Sequence, residues 1–366
     1  MIHFVVGTRA QFFKLAPVML ECERRGLRWR WIYTAQHRDT IQESIEVFGL
    51  PPPDRVVVRW STEAKSIGRM GIWFLRMLAS LPRSAKVLAG ATGKEHVVLT
   101  HGDTFTTWFG ALYGKLTRTP VMHVESGLRS FNLWKPFPEE LNRLITLRLA
   151  DYYACPGQWA VDNLRGRSGT KIDTGANTQV DTLRFGLAHS DDARIELPAD
   201  DYVVASIHRY ENIFDRDRLT SIVDVFEEIA SEFRILFIQH PSTRLQLDKL
   251  GLRERLERSE RIALLPRLEY LPFIKAVRGA SFVITDGGGN QEELSYLGKP
   301  TLIFRDETER QEGLERNAVL TRLDREVIRD FVRNHASFAA EPSLPDVSPS
   351  AVIVDFLTEQ GFGAGS

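Results

Sequence analysis

Residues 285–293 read Thr-Asp-Gly-Gly-Gly-Asn-Gln-Glu-Glu and directly follow the apolar run 281–284, a buried strand by pattern. Glycines let backbone N–H groups come close to an anion, and a helix N-terminus favours negative charge. One of the two carboxylates, in the first turn of the helix predicted to begin here, can reach a pair of ribose hydroxyls. No Gly-Lys-Ser/Thr follows, and the spacing is not that of a dinucleotide turn. The string therefore predicts a nucleotide diphosphate pocket, with a glycine-rich surface turn as the alternative.

Three carboxylates are candidates for proton transfer. Asp103 and Glu125 each come directly after a predicted strand, and Glu139 opens a predicted helix beside Glu140. Glu125 is the strongest of the three, because a carboxylate held at a strand end has the perturbed pKa that acid–base work requires. Asp103 could instead cap a helix, and Glu139 and Glu140 could instead complement a helix dipole. Carboxylates on opposite faces of a sugar suit either glycosyl hydrolysis or removal and return of a proton.

Several cations could surround a departing diphosphate. Arg9, Arg129 and Arg143 offer planar guanidinium groups to phosphate oxygens, and Lys14 offers a point charge. Lys14 could equally be a solvated helix residue. His208, at a predicted strand end, could bond a phosphate or move a proton, or could be a satisfied structural residue.

Two further features were weighed for ligand binding. Phe273 stands at the head of a predicted helix and could stack on a nucleobase, although a place in the core fits the sequence better. The group His101, Asp103 and His123 matches no common metal signature, so no metal site is predicted.

The elements that must position these residues alternate between strands and helices. Near-continuous apolar strands separated by helical patterns predict parallel sheets covered on both faces. The predicted strands are Ile2–Val6, Trp29–Tyr33, Val97–Thr100, Val121–Val124, Tyr152–Ala154, Tyr202–Ile207, Arg234–Ile238, Ile262–Leu264, Phe282–Thr285 and Thr301–Phe304. The predicted helices include Phe13–Arg25, Thr106–Leu116, Pro138–Leu149 and Arg218–Glu232.

The two series of strands predict two doubly wound, Rossmann-like α/β domains. We place the first at residues 1–180 and the second, which binds the nucleotide, at 181–350, with a C-terminal helix in 351–366 returning to the first. Ligands of open α/β sheets bind outside the carboxyl ends of the strands, and most of the polar motifs follow strands. One site in the cleft between the domains is therefore expected.

Composition narrows the class further. The chain has 366 residues, 43% of them hydrophobic and 26% charged, with a net charge of −1 and two cysteines. This balance provides no field that would recruit nucleic acid or an anionic membrane, and no disulfide framework. No stretch predicts a signal peptide or a membrane span. We therefore expect a cytoplasmic enzyme or binding protein.

The ordered motifs resemble those of the non-hydrolysing UDP-N-acetylglucosamine 2-epimerases, which have a glycosyltransferase-B-like fold of two domains. The resemblance covers nearly the whole chain. It rests on Gly7-Thr-Arg, Ala16-Pro-Val, Thr34-Ala-Gln-His-Arg, His101-Gly-Asp-Thr, His123-Val-Glu-Ser-Gly-Leu-Arg, Pro138-Glu-Glu-Leu-Asn-Arg143, Thr174-Gly-Ala-Asn-Thr, His208-Arg, Tyr270-Leu-Pro-Phe, the glycine run, Leu297-Gly-Lys-Pro and Arg305-Asp-Glu-Thr-Glu-Arg310.

The resemblance implies roles for individual residues. Its catalytic positions fall on Asp103, Glu125, Glu139 and His208, and its phosphate and active-site contacts on Arg9, Lys14 and Arg143. Its remaining substrate contacts fall on Gly287, Gly288, Gly289, the ribose contact Glu293 and the uracil-stacking Phe273. It also implies a homodimer and neither a metal nor a redox cofactor.

The chain departs from the family pattern at six positions. Ala10 and Gln11 stand where the first loop has proline and glutamate, Gly287 where the glycine run begins with serine, and Asn290 where a hydrophobic residue follows the glycines. Gln311 replaces a proline, and Lys135 a small residue.

The implied reaction is reversible inversion at C2 of UDP-N-acetylglucosamine, or of a closely related UDP-2-acetamido sugar. It proceeds by elimination of UDP to a 2-acetamidoglucal and return of UDP. A hydrolysing epimerase, a glycosyltransferase with the same UDP-sugar pocket and, last, a non-catalytic UDP-sugar sensor are the alternatives.

Overall fold

The structure is a computed structural model that describes residues 1–36, 41–59, 67–90, 92–133, 138–308 and 310–364. The chain divides into two compact units, which are residues 1–185 with 345–366 and residues 186–344. We call them the first and second unit. Over the described residues each contains one parallel sheet, so the predicted class of two doubly wound α/β domains is confirmed.

The first unit is built on a seven-stranded sheet over its described residues, in the order β3-β2-β1-β4-β5-β6-β7. Its strands are β1 Ile2–Val6, β2 Trp29–Tyr33, β3 Arg55–Val56, β4 Val97–His101, β5 Val121–Val124, β6 Tyr152–Cys155 and β7 Thr170–Asp173. Its helices are α1 Arg9–Arg24, α2 Ile41–Phe48, α3 Ile67–Ser80, α4 Ser84–Val87, α5 Phe105–Thr117, α6 Glu139–Leu149, α7 Gln158–Asp162 and α8 Gln179–His189, the last of which runs on into the second unit.

The second unit has a six-stranded sheet over its described residues, in the order β10-β9-β8-β11-β12-β13. Its strands are β8 Tyr202–Ser206, β9 Arg234–Gln239, β10 Ile262–Pro266, β11 Phe282–Thr285, β12 Thr301–Ile303 and β13 Ala318–Leu320. Its helices are α9 Tyr210–Ile213, α10 Arg216–Ile229, α11 Pro241–Lys249, α12 Leu252–Glu257, α13 Tyr270–Gly279, α14 Gly288–Tyr296 and α15 Arg325–Asn334. Short 3₁₀ turns lie at Leu81–Arg83 in the first unit and at His335–Phe338 in the second.

The central strands have the continuous apolar character that burial on both faces requires. All five residues of β1, of β4 and of β8 are buried. Strands β3, β7 and β13 were not predicted, because they are short and largely outside the fully buried core. None of the described helices is long and apolar enough to cross a membrane.

The last helix, α16 Pro349–Glu359, belongs to the first unit and packs on α1. Ile353, Val354 and Leu357 on this helix are fully buried. Asp355 pairs with Arg25 at the end of α1, with 2.5 Å between Oδ1 and Nη1. The first unit is therefore closed by residues that are more than three hundred positions apart in the chain.

We expect Leu357→Ala to lower the free energy of unfolding by about 2–5 kcal/mol, because the truncated side chain leaves a cavity against α1. Leu116→Ala is the matched control, since Leu116 is 58% exposed. That variant should change the free energy by less than about 0.5 kcal/mol. Urea unfolding measures both, and equal losses in the two variants would contradict the packing described for α16.

Candidate active site

Glu125 is held at the carboxyl end of β5 in an unusual backbone conformation. Its φ is +62°, in the left-handed region that non-glycine residues rarely adopt. Its Oε1 lies 2.6 Å from Lys14 Nζ and also accepts a hydrogen bond from Asn177 Nδ2. Its Oε2 lies 3.6 Å from His101 Nε2. The carboxylate is thus surrounded by three polar side chains from separate elements.

Burial makes these contacts strong. The Glu125 side chain is 8% exposed and the Lys14 side chain 12% exposed. An ion pair shielded from water is screened less than a surface pair, and loss of one partner leaves a buried charge unsatisfied. Lys14 is therefore not the solvated helix residue that the sequence left as an alternative. In the described structure it contacts a carboxylate.

Asp103 lies two residues after the end of β4, the neighbouring strand to β5. Its Oδ2 is 2.5 Å from Arg143 Nη2, and its backbone carbonyl accepts a hydrogen bond from Asn142 Nδ2. Desolvation raises the pKa of Asp103, and the negative charge of Glu125 raises it further, whereas Arg143 and Lys14 lower it. The carboxyl group is 27% exposed and so can reach a substrate.

The capping role that was weighed for Asp103 is taken by its neighbour. Thr104 is the N-cap of α5 and forms a capping box with Thr107. The Asp103 side chain is consequently available to Arg143.

The first turn of α6 separates the roles of two adjacent glutamates. Glu140 is fully buried, with Oε1 2.5 Å from Arg129 Nε and Oε2 3.1 Å from the backbone N–H of Ser130. The Oε2 atom of Glu139 is also out of contact with solvent, but among the described residues it has no hydrogen-bond partner. Buried polar atoms are nearly always hydrogen-bonded, so this oxygen is a candidate for contact with a ligand. Arg129, which the sequence offered as a phosphate contact, pairs with Glu140 in the described structure.

His123 is a structural imidazole. Its Nε2 lies 2.8 Å from the carbonyl oxygen of Gly102, and its Nδ1 lies 2.8 Å from Ser126 Oγ. Burial lowers the pKa of His123 to about 4, so the ring is neutral near pH 7. It links the segments that follow β4 and β5, and thereby supports both Asp103 and Glu125.

Two further residues named in the sequence analysis, Arg9 and Gln11, lie on α1. Arg9 is the first residue of the helix, and its guanidinium lies over the ring of Phe13 with 5.1 Å to the ring centroid. Gln11, a departure from the family pattern, is buried and accepts a hydrogen bond from the backbone N–H of Gly7 at 2.9 Å. Its Nε2 donates to the carbonyl oxygen of His101 at 2.7 Å. Gln11 thus ties the first loop to the end of β4.

In the second unit, Asp286 organises the loop that carries His208. Asp286 is fully buried and accepts hydrogen bonds from the backbone N–H groups of His208 and Arg209 and from Asn212 Nδ2. The Nδ1 atom of His208 lies 3.2 Å from Asp286 Oδ1. The imidazole ring of His208 also stacks on the ring of His240, with 4.4 Å between ring centroids. His208 is therefore held in one orientation at the carboxyl end of β8.

The glycine run forms a loop and a helix start beside His208. Gly287 is the N-cap of α14, with no side-chain cap, and the helix begins at Gly288. A Cβ atom on Gly287 would lie 3.0 Å from His208 Cε1, so the imidazole occupies the space beside this glycine. The helix N-terminus and His208 thus form one surface with the properties of an anion site.

Glu292 and Glu293 lie farther along α14 than the sequence suggested. The helix has no acidic residue in its first turn, since it starts at Gly288. Both carboxylates are buried, and Glu292 pairs with Arg310 at 2.8 Å. Glu293 accepts a hydrogen bond from Tyr270 Oη at 2.8 Å. The prediction of carboxylates in the first turn was wrong because the glycines themselves form that turn.

Phe273 lies in the first turn of α13, half-buried and packed against the core of the second unit. This position suits either reading made from the sequence. Among the described residues no group of three or more His, Cys, Asp and Glu side chains could hold a metal ion. Lys135, His37 and Glu309, which were named in the motifs and departures, lie outside the described residues.

Sequence reasoning passed over three residues that now carry much of the geometry. Asn177, Asp286 and Tyr270 each stood inside a quoted motif, yet none had a predicted role. Each binds a predicted site residue that lies between 23 and 78 positions away. Such pairings follow from the topology, so the only available signal was the presence of a polar side chain inside a family motif.

The chain is similar to known proteins over most of its length. Residues 20–347 match the family model described as UDP-N-acetylglucosamine 2-epimerase. The UDP-N-acetylglucosamine 2-epimerase of Methanocaldococcus jannaschii is 31% identical over 328 residues, covering 86% of each chain. A solved structure of UDP-GlcNAc 2-epimerase from that organism, in complex with UDP-GlcNAc and UDP, is 27% identical, with a TM-score of 0.80 and coverage of 98% of this chain and 99% of that one.

Two further matches are named for other activities. The UDP-2,3-diacetamido-2,3-dideoxy-D-glucuronate 2-epimerase of Pseudomonas aeruginosa is 34% identical over 315 residues, covering 83% of each chain. The solved glycotransferase of kitacinnamycin is 13% identical with a TM-score of 0.58, covers 98% of each chain and shares the fold alone. With a family model over most of its length and relatives above 30% identity, the chain belongs to the UDP-N-acetylglucosamine 2-epimerase family.

Proposed function

We propose that this protein catalyses reversible epimerisation at C2 of a UDP-2-acetamido sugar, with UDP-N-acetylglucosamine and UDP-N-acetylmannosamine as the substrate pair. Family membership supports the activity, and the reaction type is the non-hydrolysing one. The observation that carries the chemistry is the pair of carboxylates Asp103 and Glu125. They follow adjacent parallel strands, and each lies against its own cation.

The mechanism follows from the weak acidity of the C2 proton, which has no adjacent carbonyl group. In the proposed first step a carboxylate takes this proton while the C1–O bond to UDP breaks. The electron pair of the C2–H bond forms the C1=C2 double bond of a 2-acetamidoglucal, and the pair of the C1–O bond leaves with UDP. In the second step a proton reaches the other face of C2, and a β-phosphate oxygen re-forms the bond to C1.

The carboxylates of the first unit suit the proton transfers. Asp103 has a raised pKa, so it can hold a proton closer to neutral pH than an ordinary aspartate. Glu125 is paired with Lys14, which favours the ionised form of a carboxylate. Two carboxyl groups in different surroundings, at the ends of adjacent strands, supply the pair of titrating groups that removal and return of a proton requires. Glu139, whose buried Oε2 has no hydrogen-bond partner in the part of the chain that the structure describes, completes the proposed set.

The second unit suits the departing UDP. Its charge increases as the C1–O bond breaks, so groups that bind UDP more tightly than the sugar nucleotide lower the barrier. The proposed diphosphate contacts are the N-terminal N–H groups of α14, at Gly288 and Gly289, together with His208. Glu293 and Phe273 are assigned to the ribose and the uracil, and Arg9 and Arg143 are assigned to the phosphate and the reacting sugar.

The substrate can be tested directly. Incubation with UDP-N-acetylglucosamine, followed by NMR of the products, should show UDP-N-acetylmannosamine without any acceptor. The diacetamido glucuronate that names the Pseudomonas relative is the second substrate to try, because it carries the same 2-acetamido group. Free sugar and UDP as the only products would show a hydrolysing enzyme. Turnover that requires an added acceptor would show a glycosyltransferase.

Removing the titrating group from the carboxylates should abolish turnover. We expect Glu125→Gln, Glu139→Gln and Asp103→Asn each to lose at least about a hundredfold, because general acid–base catalysis contributes roughly 10²–10⁴-fold. UDP affinity should stay within a few-fold of the parent value, since the proposed UDP contacts of the second unit are unchanged. Steady-state turnover and calorimetry with UDP measure the two quantities.

Asp151→Asn is the control for loss of an ion-paired carboxylate away from the proposed site. Asp151 pairs with Lys115 at 2.6 Å, the same separation as Lys14 and Glu125, but it precedes β6 and so lies at the amino ends of the strands. Turnover of this variant should match that of the parent. If Glu125→Gln, Glu139→Gln or Asp103→Asn kept the full turnover shown by Asp151→Asn, the substituted residue would not be catalytic.

The helix start can be tested at Gly289. A Cβ atom there meets nothing within 4 Å, so Gly289→Val should fold normally. In a helix the Cα–Cβ bond tilts toward the N-terminus, and the valine would therefore lean into the path of an anion. We expect UDP affinity to fall by at least about tenfold, the equivalent of one lost hydrogen bond to a charged group. Parental UDP affinity by calorimetry, at an unchanged melting temperature, would contradict the assignment.

A further inference from the structure

We propose that Tyr270 is a positioning residue that fixes the Glu293 carboxylate for the ribose hydroxyls of the nucleotide, so that recognition of ribose depends on the tyrosine hydroxyl. This inference rests on the proposed binding of UDP to the second unit. It adds a specificity-determining residue that touches the carboxylate rather than the ligand.

The contact between the two side chains is direct and buried. Tyr270 Oη donates a hydrogen bond of 2.8 Å to Glu293 Oε1. Tyr270 is 8% exposed and Glu293 is 4% exposed. Tyr270 is the first residue of α13, which follows β10, and Glu293 lies in the second turn of α14, which follows β11, so the bond joins the helices that come after two non-neighbouring strands.

The ring of Tyr270 has little freedom to move away from the carboxylate. Gly186 lies behind it, and a Cβ atom on Gly186 would stand 2.8 Å from Cε1 of the ring. This close approach of the backbone is possible only because the residue is glycine. The same Cβ atom would lie 3.2 Å from Ile274 Cγ1, so Gly186 packs closely against this end of α13.

The hydroxyl remains a donor at physiological pH. Desolvation raises the pKa of Tyr270 well above its ordinary value, and the charge of Glu293 raises it further. A protonated phenol therefore faces the carboxylate throughout the neutral range. One hydrogen bond uses a fraction of the capacity of a carboxylate, which has about four lone-pair positions. The bond from Tyr270 thus orients the Glu293 carboxylate while occupying one of these positions.

Helix geometry puts Glu293 at the correct distance from the glycine run. Residues four apart share a face of a helix and lie about 6 Å from one another. Glu293 is four residues after Gly289, so it follows the proposed diphosphate position on the same face of α14. Glu292, on a different face, pairs with Arg310. The spacing between a diphosphate and the ribose attached to it is of this order, which makes Glu293 the carboxylate that a diol would meet.

The test compares UDP with 2′,3′-dideoxy-UDP on the parent protein, on Tyr270→Phe and on a control. Phenylalanine keeps the ring and removes only the hydroxyl. Tyr202→Phe is the matched control, because Tyr202 is also buried in the second unit and donates a 2.8 Å hydrogen bond, in this case to the carbonyl oxygen of Ala276 on α13. Calorimetry provides the affinities, and melting temperatures show the stability lost with each hydroxyl.

The parent should prefer UDP over the dideoxy analogue by at least about tenfold, because the analogue leaves buried polar groups unpaired. In Tyr270→Phe this preference should shrink by about a factor of ten, through weaker binding of UDP and nearly unchanged binding of the analogue. Tyr202→Phe should lose a similar amount of stability and keep the full preference, so a purely structural role would affect both variants alike.

Three results would overturn the inference. The first is a full preference for UDP in Tyr270→Phe, and the second is an equal loss of preference in Tyr202→Phe. The third is a parent protein that binds UDP and the dideoxy analogue equally, which would reject the role of Glu293 while leaving the epimerase proposal intact. Absence of UDP binding by the parent would reject both.

Discussion

Burial of carboxylates at the ends of parallel strands is the constraint on which both halves of this protein depend. A buried negative charge is tolerated only when cations or N–H groups satisfy it. In the first unit Lys14 and Asn177 satisfy Glu125, and in the second unit the loop after β8 wraps around Asp286. These contacts determine the loop conformations, and the loops in turn place the side chains assigned to chemistry.

The backbone at Glu125 shows how much this arrangement costs. A non-glycine residue in the left-handed region costs on the order of 1–3 kcal/mol, and φ at Glu125 is +62°. The ion pair with Lys14 and the bond from Asn177 offset that strain only while the carboxylate stays in place. Strain of this kind persists where the surroundings determine a geometry more strictly than local preference does. A site that holds a proton acceptor in one position relative to a substrate carbon atom requires a geometry that is determined in this way.

Three departures from the family pattern have structural explanations. Gln11 replaces an acidic residue, and its neutral amide joins the Gly7 loop to the end of β4 through one accepted and one donated hydrogen bond. Gly287 replaces a serine, and the adjacent space is occupied by the His208 ring at 3.0 Å from the position of a Cβ atom. The loss of a hydroxyl donor there accompanies a close approach of the imidazole to the helix N-terminus. For Asn290, the side chain bonds Thr285 Oγ1 at 3.1 Å and so braces the same loop.

The sequence predicted the layers of the fold better than the contacts of the site. Fully buried apolar strands such as β1 and β5 were placed at their observed limits, because burial on both faces leaves a clear pattern. The partly exposed strand β7 and the true start of α14 escaped prediction, since neither has an apolar signature. The sequence identified Lys14 and Glu125 as separate candidates, but it did not predict their ion pair, which joins residues 111 positions apart. Only the order of strands in the sheet brings them together.

The most direct test of the account is incubation with UDP-N-acetylglucosamine in D₂O, followed by proton NMR of the recovered sugar nucleotides. If carboxylates remove and return the C2 proton, both epimers acquire deuterium at C2 as the mixture approaches equilibrium. Epimerisation that leaves protium at C2 of both species would contradict proton transfer through exchangeable side chains, and with it the roles given to Asp103, Glu125 and Glu139.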